Sequence, residues 1–447
     1  MGGRQEEDMQ GFPKGFLFGT ATAAYQVEGS VVADGKSESN WDHFTHQPGK
    51  VKDGLTGDVA CDSYNRWQED IRLMEWLGVN AYRFSVCWSR ILPQGKGRVN
   101  ERGLDFYSRF VDALLARGIT PFMTLWHGDH PQVLEAAGGW TNRDMIHRYA
   151  DYASVMFDRL GDRVKNWITL NEPNCFLYQG YGDGRCPPGE TEWKKAYQAI
   201  HNALVGHGEA VRRLRTMRPD GRIGITMSCQ LWTPATDDPR DLRAAELADL
   251  QNNLWLLDPV HGKGYPEVYR EYLGDLAPQV HDGDMAAMAA PTDFLAVNYY
   301  SNMKVKAGTL VPDRSGVVKD VVTVEDLRDA GAFRQGLERL NRRYGPRVFY
   351  VTENGLYLRN EVPGPDGVCH DPERVAYLQA HTAALHDAIK AGVDVRGYFV
   401  WTLMDNFEWS MGFSVRFGLF YTDLATLQRT PKDSAAWYRG FLAGRNG

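Results

Sequence analysis

The chain has 447 residues, of which 43% are hydrophobic and 24% charged, with a formal net charge of −7. That composition is ordinary for a folded protein and excludes a disordered or fibrous chain. The acidic balance leaves no footprint for nucleic acid, and no apolar run is long enough to cross a bilayer as a helix.

In chain order, the first ten residues are polar and acidic, without the apolar stretch of a secretory signal. A short tail over 1–11 and a cytoplasmic location are expected. Short β-prone runs then recur at residues 16–20, 80–86, 119–126, 167–171, 223–228, 294–298, 348–352 and 397–401. Several are nearly continuous apolar runs, as parallel strands covered on both faces require. Longer amphipathic stretches separate them. Helical spacing over 70–77, 104–116 and 144–160 ends at Gly78, Gly118 and Gly161, and glycine suits a left-handed helix C-cap. Residues 303–330 are polar and irregular and read as a long loop after the sixth strand. Eight strand–helix units predict an α/β fold, a (β/α)8 TIM barrel. The barrel domain is expected to span 12–442, with long βα-loops at its C-terminal face and a second short tail at 443–447.

The polar residues fall at the strand ends. Arg83 closes the second strand, His127 the third, Asn171 and Glu172 the fourth. Asn298 and Tyr300 close the sixth, Glu353 the seventh and Trp401 the eighth. Each alone is an ordinary loop-entry residue. Together they predict one catalytic site at the C-terminal end of the barrel. Glu172 and Glu353 each follow an apolar run and precede a chain breaker. Two carboxyl groups facing each other across a sugar are what glycosidic bond cleavage needs. The six cysteines form no Cys-x-x-Cys pair and have no zinc-like spacing with histidine, so they read as reduced, mostly buried thiols. The 13 tryptophans and 21 tyrosines suit an aromatic core and also a sugar site. For Trp88, Trp167 and Trp255 the core is the preferred reading.

Six motifs stand in order: Phe16-Leu17-Phe18-Gly19-Thr20-Ala21-Thr22-Ala23-Ala24-Tyr25-Gln26-Val27-Glu28-Gly29, Tyr82-Arg83-Phe84-Ser85, Thr169-Leu170-Asn171-Glu172-Pro173, Val297-Asn298-Tyr299-Tyr300, Thr352-Glu353-Asn354-Gly355, and Trp401-Thr402-Leu403-Met404-Asp405-Asn406-Phe407-Glu408-Trp409. Through these the chain, from Phe12 to Phe441, resembles glycoside hydrolase family 1, the retaining β-glucosidase and β-galactosidase group. The resemblance implies hydrolysis of terminal non-reducing β-D-glycosyl residues by double displacement. Glu172 would be the general acid/base and Glu353 the nucleophile, supported by Arg83 and Tyr300. Gln26, His127, Asn171, Asn298, Tyr300, Glu408 and Trp409 would bind the sugar, with Trp401 as the stacking platform. A carboxylate at Glu408 would disfavour 6-phosphorylated sugars. The resemblance implies no metal and no organic cofactor, a small β-glycoside as the partner, and neither nucleic acid nor membrane. A transglycosidase using the same intermediate remains open. A catalytically silent sugar-binding protein is disfavoured, because both carboxyl groups and Arg83 are present.

Three departures from the family pattern stand out. The segment after the third strand reads His127-Gly128-Asp129-His130-Pro131, with glycine where the family carries a tryptophan beside the sugar 3-hydroxyl. Asn174 follows Asn-Glu-Pro where an apolar or aromatic residue is usual. An aglycone-side Gly-Trp is replaced in Asp329-Ala330-Gly331-Ala332-Phe333. Loss of indole bulk predicts a wider pocket, suited to a modified sugar or a bulky leaving group, and predicts that Gly128→Trp raises activity on simple glucosides.

Overall fold

A computed structural model describes residues 11–308 and 321–444. Eight parallel strands close into a barrel: Leu17–Ala21, Ala81–Ser85, Thr120–Trp126, Asn166–Asn171, Arg222–Ser228, Phe294–Tyr299, Val348–Asn354 and Val395–Trp401. Each pairs with its neighbours in chain order, and the first closes the ring against the eighth through Leu17 opposite Gly397 and Ala21 opposite Trp401. All eight strands expected from the sequence are present. The apolar runs are explained by burial on both faces: outward side chains meet the surrounding helices, and inward ones fill the barrel.

The inward set is a plug of rings. Phe122 touches Phe294, Tyr350 and Phe399 at centroid distances of 5.7, 4.9 and 5.3 Å. Four strands thus contribute one aromatic layer, which closes the interior beneath the C-terminal rim. Helices Ser63–Leu77, Glu101–Leu115, Asp144–Leu160, Trp193–Met217, Ala330–Tyr344 and Pro372–Lys390 are among those that wrap the barrel. Phe18 in the first strand packs on Phe12 and on Phe441 in helix Asp433–Leu442, at 5.1 and 5.5 Å, so the beginning and end of the domain share one aromatic cluster. The expected tails fall outside the described residues, except Gly11, Ala443 and Gly444.

Two local expectations change. Gly78 caps its helix in the left-handed conformation, at φ 81°, but Gly161 stays right-handed at φ −71°. Glycine is needed there for space. A Cβ would lie 2.4 Å from the Phe157 carbonyl oxygen and 2.8 Å from the Arg218 side chain. Residues 303–330 are not simply loop. Asn302–Ala307 pairs parallel with Trp232–Pro234 and antiparallel with Val321–Leu327; residues 309–320 lie outside the described residues. Lys304 sits opposite Glu325 with a 3.2 Å ion pair. A strand with charged residues on its open face reads as polar loop in the sequence.

Candidate active site

The strand register slips where the two carboxyl groups emerge. The fourth strand shifts against the fifth between Ile168 and Asn171, and the seventh against the sixth between Val351 and Glu353. Such irregularities re-aim side chains next to active sites. Glu172 adds a second device: its backbone is left-handed, at φ 45° and ψ 53°, as it caps the short helix Pro173–Leu177. For a residue with a side chain this conformation costs about 1 kcal/mol or more. It is held by the Glu172 N–H donating to the Thr226 carbonyl at 2.9 Å and by Pro173, which suits a first helical position.

Glu172 and Glu353 line one cavity of about 400 Å³ together with His127, Asn171, Tyr300, Trp401, Glu408 and Trp409. The remaining predicted residues stand just behind them. Arg83 is fully buried. It donates to Glu353 Oε1 at 2.5 Å, to Asn171 Oδ1 at 2.7 Å and to Thr124 Oγ1 at 3.1 Å. Tyr300 donates its hydroxyl to Glu353 Oε2 at 2.5 Å. Both oxygens of Glu353 therefore accept hydrogen bonds. Asn298 Nδ2 reaches Glu172 Oε1 at 2.8 Å and Asn171 Oδ1 at 3.0 Å. Its own Oδ1 accepts from Thr352 at 2.8 Å, which fixes the amide. With its oxygen taken up by Arg83 and Asn298, Asn171 turns Nδ2 to His127 Nε2 at 3.0 Å. Nε2 is then the acceptor and Nδ1 carries the proton. Burial, followed by the charge of Arg83, holds His127 well below the usual histidine range, so the ring is neutral.

The acids differ. Burial, then the neighbouring charge of Glu353, pushes Glu172 from 4.5 up to about 7, against the opposing hydrogen bond from Asn298. Glu408 is pushed to about 8, again by burial first and Glu353 second. Gln26 Nε2 donates to Glu408 Oε2 at 3.1 Å and to the Phe407 carbonyl at 2.9 Å, leaving Gln26 Oε1 buried without a protein partner.

The flat walls are aromatic. His127 lies nearly parallel to Trp401 and Trp409, at centroid distances of 5.8 and 5.9 Å and interplanar angles of 21° and 24°. Trp88, Trp167 and Trp255 are fully buried in the core, as expected. Phe176 is the residue the sequence reading missed. Gly128 has φ 85°, and a Cβ there would fall 2.5 Å from the Phe176 ring. Phe176 also packs edge-on against His127 and Trp409, at 5.6 and 5.1 Å. A side chain at position 128 would thus meet a ring from the helix that follows Glu172, where the sequence led to an expectation of open space. The signal was present four residues after the glutamate, but nothing in the sequence paired position 176 with 128.

The other departures are structural. Asn174 turns away from the cavity, and its amide donates to the carbonyls of Ser228 and Asn252 at 3.0 Å each. Asp329 caps helix Ala330–Tyr344 through a 2.8 Å bond from the Gly331 N–H, and Phe333 packs on Tyr299 at 4.9 Å. His130 is engaged by Glu135 at 2.8 Å, and Trp126 donates to its other nitrogen. No cluster of three His, Cys, Asp or Glu suited to hold a metal occurs among the described residues.

The profile of glycosyl hydrolase family 1 matches residues 8–446. Beta-glucosidase A of Thermotoga maritima is 45% identical over 432 residues, covering 96% of both chains. The beta-glucosidase of an Agrobacterium species is 40% identical, covering 97% of this chain and 95% of that protein. Solved structures of the Thermotoga maritima beta-glucosidase align with TM-scores of 0.92 with glucoimidazole and 0.93 with deoxynojirimycin. Both are 44% identical and cover 97% of this chain and 99% of theirs. The barrel, the carboxyl pair at its rim and these matches agree: the chain belongs to glycosyl hydrolase family 1 and is a hydrolase of glycosidic bonds.

Proposed function

We propose that the protein is a retaining β-glycosidase of β-glucosidase type, removing terminal non-reducing β-D-glycosyl residues by double displacement. The observation that carries this reading is the unequal treatment of two carboxyl groups on one cavity. Glu353 accepts from Arg83 and Tyr300 and is equipped to act as the anionic nucleophile. Glu172, pushed to about 7, can hold a proton beside it. In the first step Glu353 attacks the anomeric carbon while Glu172 gives its proton to the departing glycosidic oxygen. In the second, Glu172 takes a proton from water, which displaces Glu353 and restores the starting configuration. Asn171 and His127 are placed to meet sugar hydroxyls, with Gln26 and Glu408 at the far end and Trp401 beneath the ring. Relatives named as beta-glucosidases, one of them bound to glucoimidazole, support glucose as the sugar.

The roomy part of the pocket is assigned to the leaving group. Phe176 lies on the sugar side, whereas the cavity, about 400 Å³ in all, opens outward past Gln179, Gln230 and Tyr357. Proton NMR of the first-formed sugar from an aryl β-glucoside tests the mechanism. β-Glucose should appear first and mutarotate later; initial release of the α-anomer would refute the retaining assignment.

A further inference from the structure

The outer end of the cavity carries positive charge that the proposed chemistry does not use. The two-residue strand Leu358–Arg359, just beyond the nucleophile, pairs antiparallel with Val415–Arg416 and sets Arg359 opposite Val415. Both Arg359 and Val415 line the cavity. The Arg359 guanidinium lies over the Tyr357 ring at 5.7 Å, and Arg328, in the short connection between strand Val321–Leu327 and helix Ala330–Tyr344, lies over the same ring at 5.1 Å. Neither arginine makes an ion pair among the described residues, whereas Arg185, the third arginine near the cavity, is tied to Asp183 at 2.5 Å. An aromatic path leads inward from this pair. Tyr357 meets Phe417 at 5.5 Å, and Phe417 meets Tyr300, the hydrogen-bond donor to Glu353, at 5.6 Å.

We propose that this wall is a leaving-group subsite for planar aglycones bearing a carboxylate, with Phe417 and Tyr357 stacking the ring and Arg359, assisted by Arg328, receiving the anion. The inference rests on the glycosidase reading above and specifies its substrate class. The charge balance explains why the arginines would matter. The inner cavity is lined by three carboxyl groups, Glu172, Glu353 and Glu408, and Arg83 is engaged by Glu353 and Asn171, so an anionic aglycone finds its guanidinium partner at the outer end, at Arg359. Guanidinium is the side chain suited to receive carboxylate in a two-pronged bond while stacked on a ring. Because Arg359 sits on a paired strand, its backbone position is fixed, and less freedom is lost when it engages a ligand.

The test uses the β-glucosides of 4-hydroxybenzoate and 4-hydroxycinnamate, each beside its primary amide. The readout is the ratio of kcat/KM for acid over amide, compared between wild type, Arg359→Gln, Arg359→Lys and Arg328→Gln/Arg359→Gln. Intrinsic leaving-group reactivity cancels between enzymes. At low ionic strength the wild-type ratio should fall about fivefold in Arg359→Gln, further in the double variant and less in Arg359→Lys, and 0.5 M salt should shrink the wild-type preference, since exposed charges are screened. Turnover of acid and amide with the same ratio in all four proteins would overturn the anion subsite alone. Absence of turnover on these glucosides and on 4-nitrophenyl β-glucoside would overturn the glycosidase reading and this inference with it.

Discussion

Replacing Glu172 by glutamine keeps the shape of the side chain and removes its proton equilibrium. In the wild type the acid is protonated below about 7, so kcat/KM should decline above that pH and fall about tenfold for each further unit, as the protonated fraction drops to about one in eleven one unit above. The Gln variant should lose about 10²–10⁴ in kcat/KM on glycosides with poor leaving groups, less on a 2,4-dinitrophenyl glycoside that departs without a proton, and its alkaline limb should be gone. The same titration has a stability consequence. The folded state holds this proton more tightly than the unfolded chain does, so this group's contribution to stability is fully present below about 4.5, is lost as pH rises to about 7, and changes no further above that. At about 1.4 kcal/mol for each tenfold in proton affinity, the loss has a ceiling of about 3 kcal/mol, reduced because the carboxyl borders the open cavity. Glutamine escapes it. Urea denaturation at pH 5 and pH 8 should therefore show the variant gaining on the wild type by about 1–3 kcal/mol between the two. An alkaline limb that persists unchanged in Glu172→Gln on the 2,4-dinitrophenyl substrate would show that another group titrates and refute the assignment of the proton to Glu172.

Tyr300→Phe removes the hydroxyl donor to Glu353; a charge-assisted hydrogen bond of about 1.5–3 kcal/mol predicts a loss of about 10- to 100-fold in kcat/KM, measured with an aryl β-glucoside. Arg83→Met leaves the Glu353 carboxylate buried without its cation, and unfolding experiments should register about 3–5 kcal/mol of destabilisation at neutral pH alongside loss of turnover. Gly128→Ala places a methyl against Phe176 at a left-handed backbone position and should lower stability by about 1–3 kcal/mol. Gly128→Trp alone should lose both stability and activity, opposite to the expectation from the sequence, and Gly128→Trp/Phe176→Ala should recover part of the stability; recovery absent from the pair would show that the two positions are not sharing one space.

The barrel was legible because each strand is covered on both faces, and continuous apolar runs such as Phe122 to Trp126 have few other uses. The rim was legible for the opposite reason: Asn171, Glu172 and Glu353 break those runs at strand ends, whereas Arg83, expected to close the second strand, stands at its centre, Ala81–Ser85. What escaped depends on contacts distant in sequence. No local pattern connects Phe176 to Gly128, or shows that Asn174 faces the carbonyls of Ser228 and Asn252. Arg359 was hidden because a two-residue strand carries no periodicity. The sheet built on Asn302–Ala307 was read as loop because charge on one face erased the apolar signal. Glycine misled at Gly161, where crowding by Phe157 and Arg218 selects the residue as effectively as a left-handed turn does.

The ring that meets position 128 comes from the same short segment as the proposed proton donor. Within six consecutive residues, Asn171 to Phe176, the chain supplies the amide proposed to meet the sugar, the proposed acid and one wall of the pocket. Any shift of helix Pro173–Leu177 that moves the wall must also tilt the acid. In the proposed mechanism, substrate preference and proton delivery are thereby mechanically joined. Because a side chain at position 128 would meet the Phe176 ring, positions 128 and 176 should be changed together when the pocket is redesigned.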